Sequence, residues 1–142
     1  MSEYAVTWKG AEVADKTRAA VHWGIDSTMA DCVTTAKSLV HRVTSILQGS
    51  IQMRPAADVG GKITGYWGSF DVNYAIFVER GTGPHVIFPR FKKALYWKGA
   101  DHPVRWVDHP GSKAYPYLMP AAERHYPSLH LRIRAQIAWG KS

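Results

Sequence analysis

The chain is poor in several things, and each shortage closes a class of explanation. It has one cysteine, Cys32, in 142 residues. A lone thiol forms no internal disulfide, so the fold must rest on its own core, as a protein of a reducing compartment does. No uninterrupted apolar run exceeds the five residues Tyr74–Val78, far short of the roughly 20 a membrane-spanning helix requires. The first twenty residues hold Glu3, Lys9, Glu12, Asp15, Lys16 and Arg18 with no apolar block between them, so no secretory signal is expected. Acidic residues are scarce from Thr82 onward: three, against ten Lys and Arg, while the residues before are balanced at eight against eight. The whole net charge of +7, and five of the seven histidines, therefore lie in the second part of the chain. Such a one-sided field suits nucleic acid or an acidic protein surface, and it also serves solubility alone.

What is present is a globule. Hydrophobic residues make up 46% and aromatics 12%, too apolar for a disordered chain, and the length suits one domain over residues 1–142. Tyr4–Trp8 mixes aromatic and β-branched residues and reads as a short strand. From Ala11 to about Leu47 apolar residues recur every three or four positions, predicting one long amphipathic helix, bent near Gly24 and stopped by Gly49, with Glu12 and Lys16 paired on its outer face. Ser50–Arg54 and Lys62–Phe70 read as two strands flanking a Pro55–Gly61 loop. Gly65 and Gly68 suggest a bulge or a close backbone approach there. Asp71 or Asn73 is placed to cap a short helix over Tyr74–Arg80, with Gly81 just past its end. Three further strands are expected at Val86–Phe88, Ala94–Trp97 and Val104–Val107. A last helical region begins near Pro120 and is interrupted at Pro127, whose ring clashes with the preceding turn. The fold class is α+β: a long N-terminal helix and a C-terminal helix packed on a small, mostly antiparallel, twisted sheet.

Few of the candidate chemistries survive. Gly81-Thr82-Gly83-Pro84 looks like a phosphate loop, but no Lys-Ser/Thr pair follows it and Pro84 lacks an N–H, so it reads as a helix stop and turn. Asp101, His102, Asp108 and His109 could be metal ligands, yet each histidine precedes a proline, a loop signature without metal-ligand spacing. Cys32 sits on the apolar stripe of the long helix as a buried thiol would. The enzymatic alternative that stays open is a small RNA-cleaving toxin-type nuclease. Its groove would use Arg90, Lys92, Lys93, Arg105 and His109 among Tyr96, Trp97 and Trp106.

Three segments in order carry a resemblance: "AKSLVHRVTSILQGSI" (Ala36–Ile51), "YAIFVERGTGPHVIFP" (Tyr74–Pro89) and "HPGSKAYPYLMPAAE" (His109–Glu123). Together they resemble the neck or tail-completion family of long-tailed bacteriophages, related to the minor tail protein called Z, over about Trp8–Ala138. The matching positions are Thr44, Leu47, Ser50 and Ile51; then Tyr74, Ala75, Val78, Glu79, Gly81 and Thr82; then His109, Pro110, Gly111, Pro116, Leu118, Pro120 and Ala121. Ser45 stands where glycine is usual, Tyr117 where phenylalanine is, and Arg80 at a position commonly aromatic. The resemblance implies a virion protein with no catalytic residue, cofactor or metal, made in the bacterial cytoplasm. It would assemble as a homo-oligomeric ring in the connector between head and tail tube. Its neighbours would be the head-closure or adaptor protein on one side and the tail-terminator or tube protein on the other. A tail terminator capping the tube is the alternative within the same biology. On either reading Arg90, Lys92, Lys93, Lys98, Arg105, Arg132 and Arg134 would face acidic partners or the DNA in the channel. Docking on protein is favoured, because a sticky lumen would hinder DNA ejection.

Overall fold

The computed structural model describes residues 5, 7, 9–40 and 45–139. The chain is α+β: about half helical, with a long N-terminal helix, a C-terminal helix and small antiparallel ladders. It divides into two compact units. The first comprises the described residues up to Val72 and those from Tyr117 on; the second is Asn73–Pro116.

Helix α1, Gly10–Leu39, is the spine of the first unit. Its buried positions Ala20, Gly24, Thr28, Met29, Cys32 and Ala36 recur at three- and four-residue spacing, the stripe that packs against other elements. The expected Glu12–Lys16 pair forms at 2.9 Å. The helix does not run to Leu47. Val40 takes an extended ψ of 122° while its N–H still reaches the Ala36 carbonyl, and its own side chain is buried. A separate helix α2, Ser45–Ser50, follows, so Gly49 lies inside an element and is not a stop. The strand expected at Tyr4–Trp8 lies for the most part outside the described residues, as does Thr44.

Gly24 does not mark a break; α1 runs through it. A Cβ there would stand 2.5 Å from Ile133 Cγ1, so the absent side chain is what lets α1 meet the C-terminal helix α5, Leu129–Trp139. Two terms compete in Gly24→Ala. Helix propensity favours alanine by about 1 kcal/mol, while overpacking costs about 1–3 kcal/mol. The branch atom of Ile133 cannot swing clear as a flexible chain end can, so the steric cost wins. We expect Gly24→Ala to destabilise by about 1 kcal/mol in wild type. In an Ile133→Ala background the same change should stabilise, and chemical denaturation of the four proteins reads that reversal.

β1 (Ile51–Val59) and β2 (Lys62–Ser69) form an antiparallel hairpin closed by Gly60-Gly61, both at positive φ (58° and 79°). This is the two-residue turn whose twist suits a hairpin, and glycine supplies it without strain. The expected Pro55–Gly61 loop is therefore mostly strand. Proline in a strand normally signals a loop or an edge, and here it sits in a bulge between Arg54 and Ala57. The bulge is held from α1: Asp26 accepts the Ala56 N–H at 2.7 Å, and His22 Nδ1 lies 3.2 Å from the Ala56 carbonyl and so donates to it. One turn and two turns away, the same helix face contributes to a clasp on Asp58, which His22 Nε2 meets at 3.0 Å and Arg18 meets as an ion pair. The His22 hydrogen bond and the Arg18 charge hold the Asp58 carboxyl below its ordinary value. Gly65 is the close approach its position suggested: a Cβ would press on Met29 Cε and Sδ.

Helix α4, Leu118–His125, carries Pro120 in its first turn, and a 3₁₀ turn at Tyr126–Ser128 absorbs Pro127 before α5 begins. Both follow from a ring that lacks an N–H and is tolerated only near a helix start. Arg132 of α5 pairs with Asp31 of α1 at 2.5 Å, and Thr35 Oγ1 meets His125 Nε2 at 2.7 Å. The core between these elements comprises Met29, Cys32, Ala36, Leu47, Ile51, Tyr117 and Ala121.

In the second unit, helix α3, Ala75–Arg80, matches expectation in extent. Its N-cap is Tyr74, not Asp71 or Asn73, and no side chain caps it; Asp71 instead adopts φ 59°. Only one of the three expected strands keeps its place, β3 at His85–Ile87, and it pairs with β4 at Val107–His109. Ala94–Trp97 and Val104–Val107 meet through the single bridge Leu95↔Val104. Their aromatics Tyr96, Trp97 and Trp106 are exposed and do not fill a core. The sheet is thus two separate two-stranded ladders.

Candidate functional site

Two motif segments about thirty residues apart in the chain come together in the second unit. α3 ends at Gly81, φ 70°, where an added Cβ would lie 2.5 Å from the Ser112 carbonyl oxygen. Next to it Thr82 and Ser112 exchange backbone hydrogen bonds, 3.0 Å and 3.1 Å, and their hydroxyls lie 2.9 Å apart. Gly111, φ 89°, passes so close to the Thr82 carbonyl and Gly83 that a Cβ would overlap them. Tyr115 N–H then donates to the Val78 carbonyl at 2.8 Å, tying α3 to the chain after the crossing. Gly81 and Gly111 are there because two backbones meet where no side chain fits.

His85 and His109 face each other across β3 and β4, ring centres 5.0 Å apart. His109 Nδ1 accepts the Gly111 N–H at 3.0 Å, so neutral His109 carries its proton on Nε2. His85 Nδ1 lies 2.9 Å from the Gly83 carbonyl and must donate to it. Both rings therefore serve the turns on either side of the crossing. Among the described residues no three of His, Cys, Asp and Glu converge as metal ligands would. Cys32 is fully buried beside the Ala121 carbonyl, and burial pushes its thiol up to about 11, away from nucleophilic use.

The other matching positions lie elsewhere and play different parts. Leu47 and Ile51 are wholly buried in the first unit, and Ser50 Oγ donates to the Leu47 carbonyl at 2.7 Å. Ala121 is buried against α1, while Leu118 and Pro120 are half-buried in the first turn of α4. Tyr117, at the position where phenylalanine is usual, is fully buried with its hydroxyl 2.7 Å from Ser69 Oγ. The extra oxygen is thus satisfied. Ala75 is buried, Val78 and Glu79 are half-buried, and Tyr74, Pro110 and Pro116 are exposed.

Arg90, Lys92, Lys93, Lys98 and Arg105 are all exposed in the second unit, whose seven Lys and Arg stand against three acids. Arg134 is exposed on α5. Arg132 differs, since its charge is spent on Asp31. The second unit also leaves its large apolar residues in solvent. Phe91 is 97% exposed, and Phe88, Tyr96, Trp97 and Trp106 are at least half exposed. Tyr96 and Trp97 also line an apolar hollow of about 360 Å³, with Ile87, Leu95, Val107 and His109. Within that unit Ala75 alone is buried. An apolar, cationic surface of this kind is what proteins present to other macromolecules.

Sequence reasoning passed over the Arg18–His22–Asp26 face. Its signal was the four-residue spacing of three polar residues along one helix, set opposite the acid Asp58. No family model, curated protein or solved structure matches this chain.

Proposed function

We propose that this protein is a non-enzymatic structural component of the head–tail junction of a long-tailed bacteriophage, assembling as a ring that joins head to tail. The observation that carries the reading is the Thr82–Ser112 crossing. Two of the three segments by which the sequence resembles the neck and tail-completion family meet there, and Gly81 and Gly111 stand where backbone contact demands glycine. The wide apolar and basic surface of the second unit supports the same reading, because a subunit between head and tail must meet neighbours on several sides. The buried thiol and the two turn-bound histidines leave the candidate nucleophile and bases occupied in structural contacts.

Glu79 is half-buried in the last turn of α3, two residues before Gly81, where its carboxylate would accept the hydrogen bonds that fix the Gly81–Gly83 turn for ring assembly. Glu79→Ala is expected to abolish ring assembly, read as particle mass and ring images of the purified chain, while its circular dichroism stays as in wild type. Rings formed normally by that variant would remove Glu79 from the assembly contact. RNA hydrolysis by the wild-type chain, lost with His109→Ala, would overturn the structural reading itself.

A further inference from the structure

The 360 Å³ hollow of the second unit is built by backbone pairing. In the β3–β4 ladder His85 stands opposite His109 and Ile87 opposite Val107, while Val86 and Asp108 between them take the other face. Ile87, Val107 and His109 line the hollow, so it lies on the first of these faces. Leu95 and Val104 exchange backbone hydrogen bonds of 2.7 Å and 2.9 Å, which brings Leu95, Tyr96 and Trp97 in as the second wall. Ile87, Leu95 and Val107 are half-buried, and Tyr96 and Trp97 are at least half exposed. An apolar concavity of this size takes a large apolar side chain. Cations adjoin its walls in the chain: Lys93 is two residues before Leu95, Lys98 follows Trp97, and Arg105 is two residues before Val107. All three are exposed, and among the described residues none of them meets a carboxylate.

We infer that this hollow receives an acidic segment of another protein, one large apolar side chain entering it while flanking Asp and Glu carboxylates meet Lys93, Lys98 and Arg105. Charge complementarity selects the class of partner, because the second unit holds seven Lys and Arg against three acids. A second copy of the chain does not supply the complement. Of 18 Lys and Arg and 11 Asp and Glu, the first unit keeps eleven and eight, so it too is net positive. Nucleic acid supplies anions but suits the hollow less well. Bases stack on flat aromatic faces, whereas Ile87, Leu95 and Val107 form an aliphatic concavity. Burial of the apolar side chain supplies the affinity, and the carboxylates set partner choice and the rate of encounter. The inference rests on the junction reading above for the origin of such a neighbour, and it names the chemistry of the face that neighbour presents.

The test is a titration of the full chain with a fluorescein-labelled nonapeptide that has one central tryptophan between Asp and Glu residues, followed by anisotropy and by methyl NMR. The peptide should bind and shift the Ile87, Leu95 and Val107 methyl signals. Binding should weaken at least tenfold when the peptide's tryptophan is replaced by alanine, and at least tenfold when its acids are replaced by Asn and Gln. Lys98→Glu combined with Arg105→Glu should weaken it by a similar factor with circular dichroism unchanged, since both side chains are exposed. No methyl shift at about 1 mM peptide, or equal binding of the Asn and Gln peptide, would overturn the inference. An oligothymidylate of fifteen nucleotides that moves the same methyls and displaces the peptide would assign the hollow to nucleic acid and overturn it. So would movement of those methyls with concentration of the chain alone, as its sedimentation mass rises above 15.9 kDa, because the occupant is then a second copy. All of these outcomes leave the ring reading standing. A chain that binds the peptide as expected yet builds no rings would keep the site and remove the ring.

Discussion

Gly111→Ala is expected to open the Thr82–Ser112 crossing and with it the second unit. The left-handed conformation at φ 89° costs a side-chain-bearing residue about 1–2 kcal/mol. The added methyl group also cannot be accommodated by a rotamer change, because it falls on the Thr82 carbonyl and the Gly83 backbone. The two chains must part, losing two backbone hydrogen bonds worth about 1 kcal/mol each. The total is about 3 kcal/mol. The Thr82 and Ser112 amides should lose their exchange protection while those of α1 keep theirs. Gly60→Ala is the matched control. Its φ is also positive, at 58°, but nothing lies within 4 Å of the new Cβ, so only the conformational cost of about 1 kcal/mol remains. Equal effects of the two substitutions would show that the crossing contributes nothing beyond the strain of its glycine.

Leu47→Ala is expected to have the other large effect, in the first unit. Leu47 is wholly buried on a helix of six residues that touches β1 and β2, and so short a helix has no independent stability. Truncation removes the transfer energy of the lost carbons and leaves a cavity, a combined cost of about 3 kcal/mol. Its neighbour Ile46 is 65% exposed, and Ile46→Ala should change stability by no more than about 0.5 kcal/mol. Denaturant midpoints of the two variants test the assignment directly. Similar losses would mean that α2 is anchored through its outer face.

These contrasts also show which parts of the structure the sequence could reveal. Local chemistry was legible: the stop at Gly81, the interruption at Pro127, the Glu12–Lys16 pair and the close approach at Gly65 each follow from one residue and its neighbours. The helix end at Val40 was not, because the apolar period continues into α2 and the stripe alone cannot tell one helix from two. Pro55 misdirected the reading of the hairpin, since its missing N–H matters little in a bulge whose next amide is taken by Asp26. Pairing across long separations was hidden altogether. Nothing near Thr82 in the chain indicates that Ser112 is its partner, and nothing near Val104 limits its ladder to one bridge with Leu95. The cations expected to face partners divide along the same line. Five of them share the second unit as their clustering in sequence suggested, whereas Arg132 is captured by an aspartate some hundred residues earlier.

The inert thiol at Cys32 has a practical corollary. A wholly buried side chain, its proton retained to about pH 11, does not compete for maleimide near neutrality. A cysteine introduced at Val59, 63% exposed beside the Gly60-Gly61 tip, would then be the sole point at which a dye or a gold cluster attaches. Stoichiometric, single-position tagging needs no cysteine-free background in this protein, and one attached fluorophore per subunit turns counting photobleaching steps into counting copies in an assembled particle.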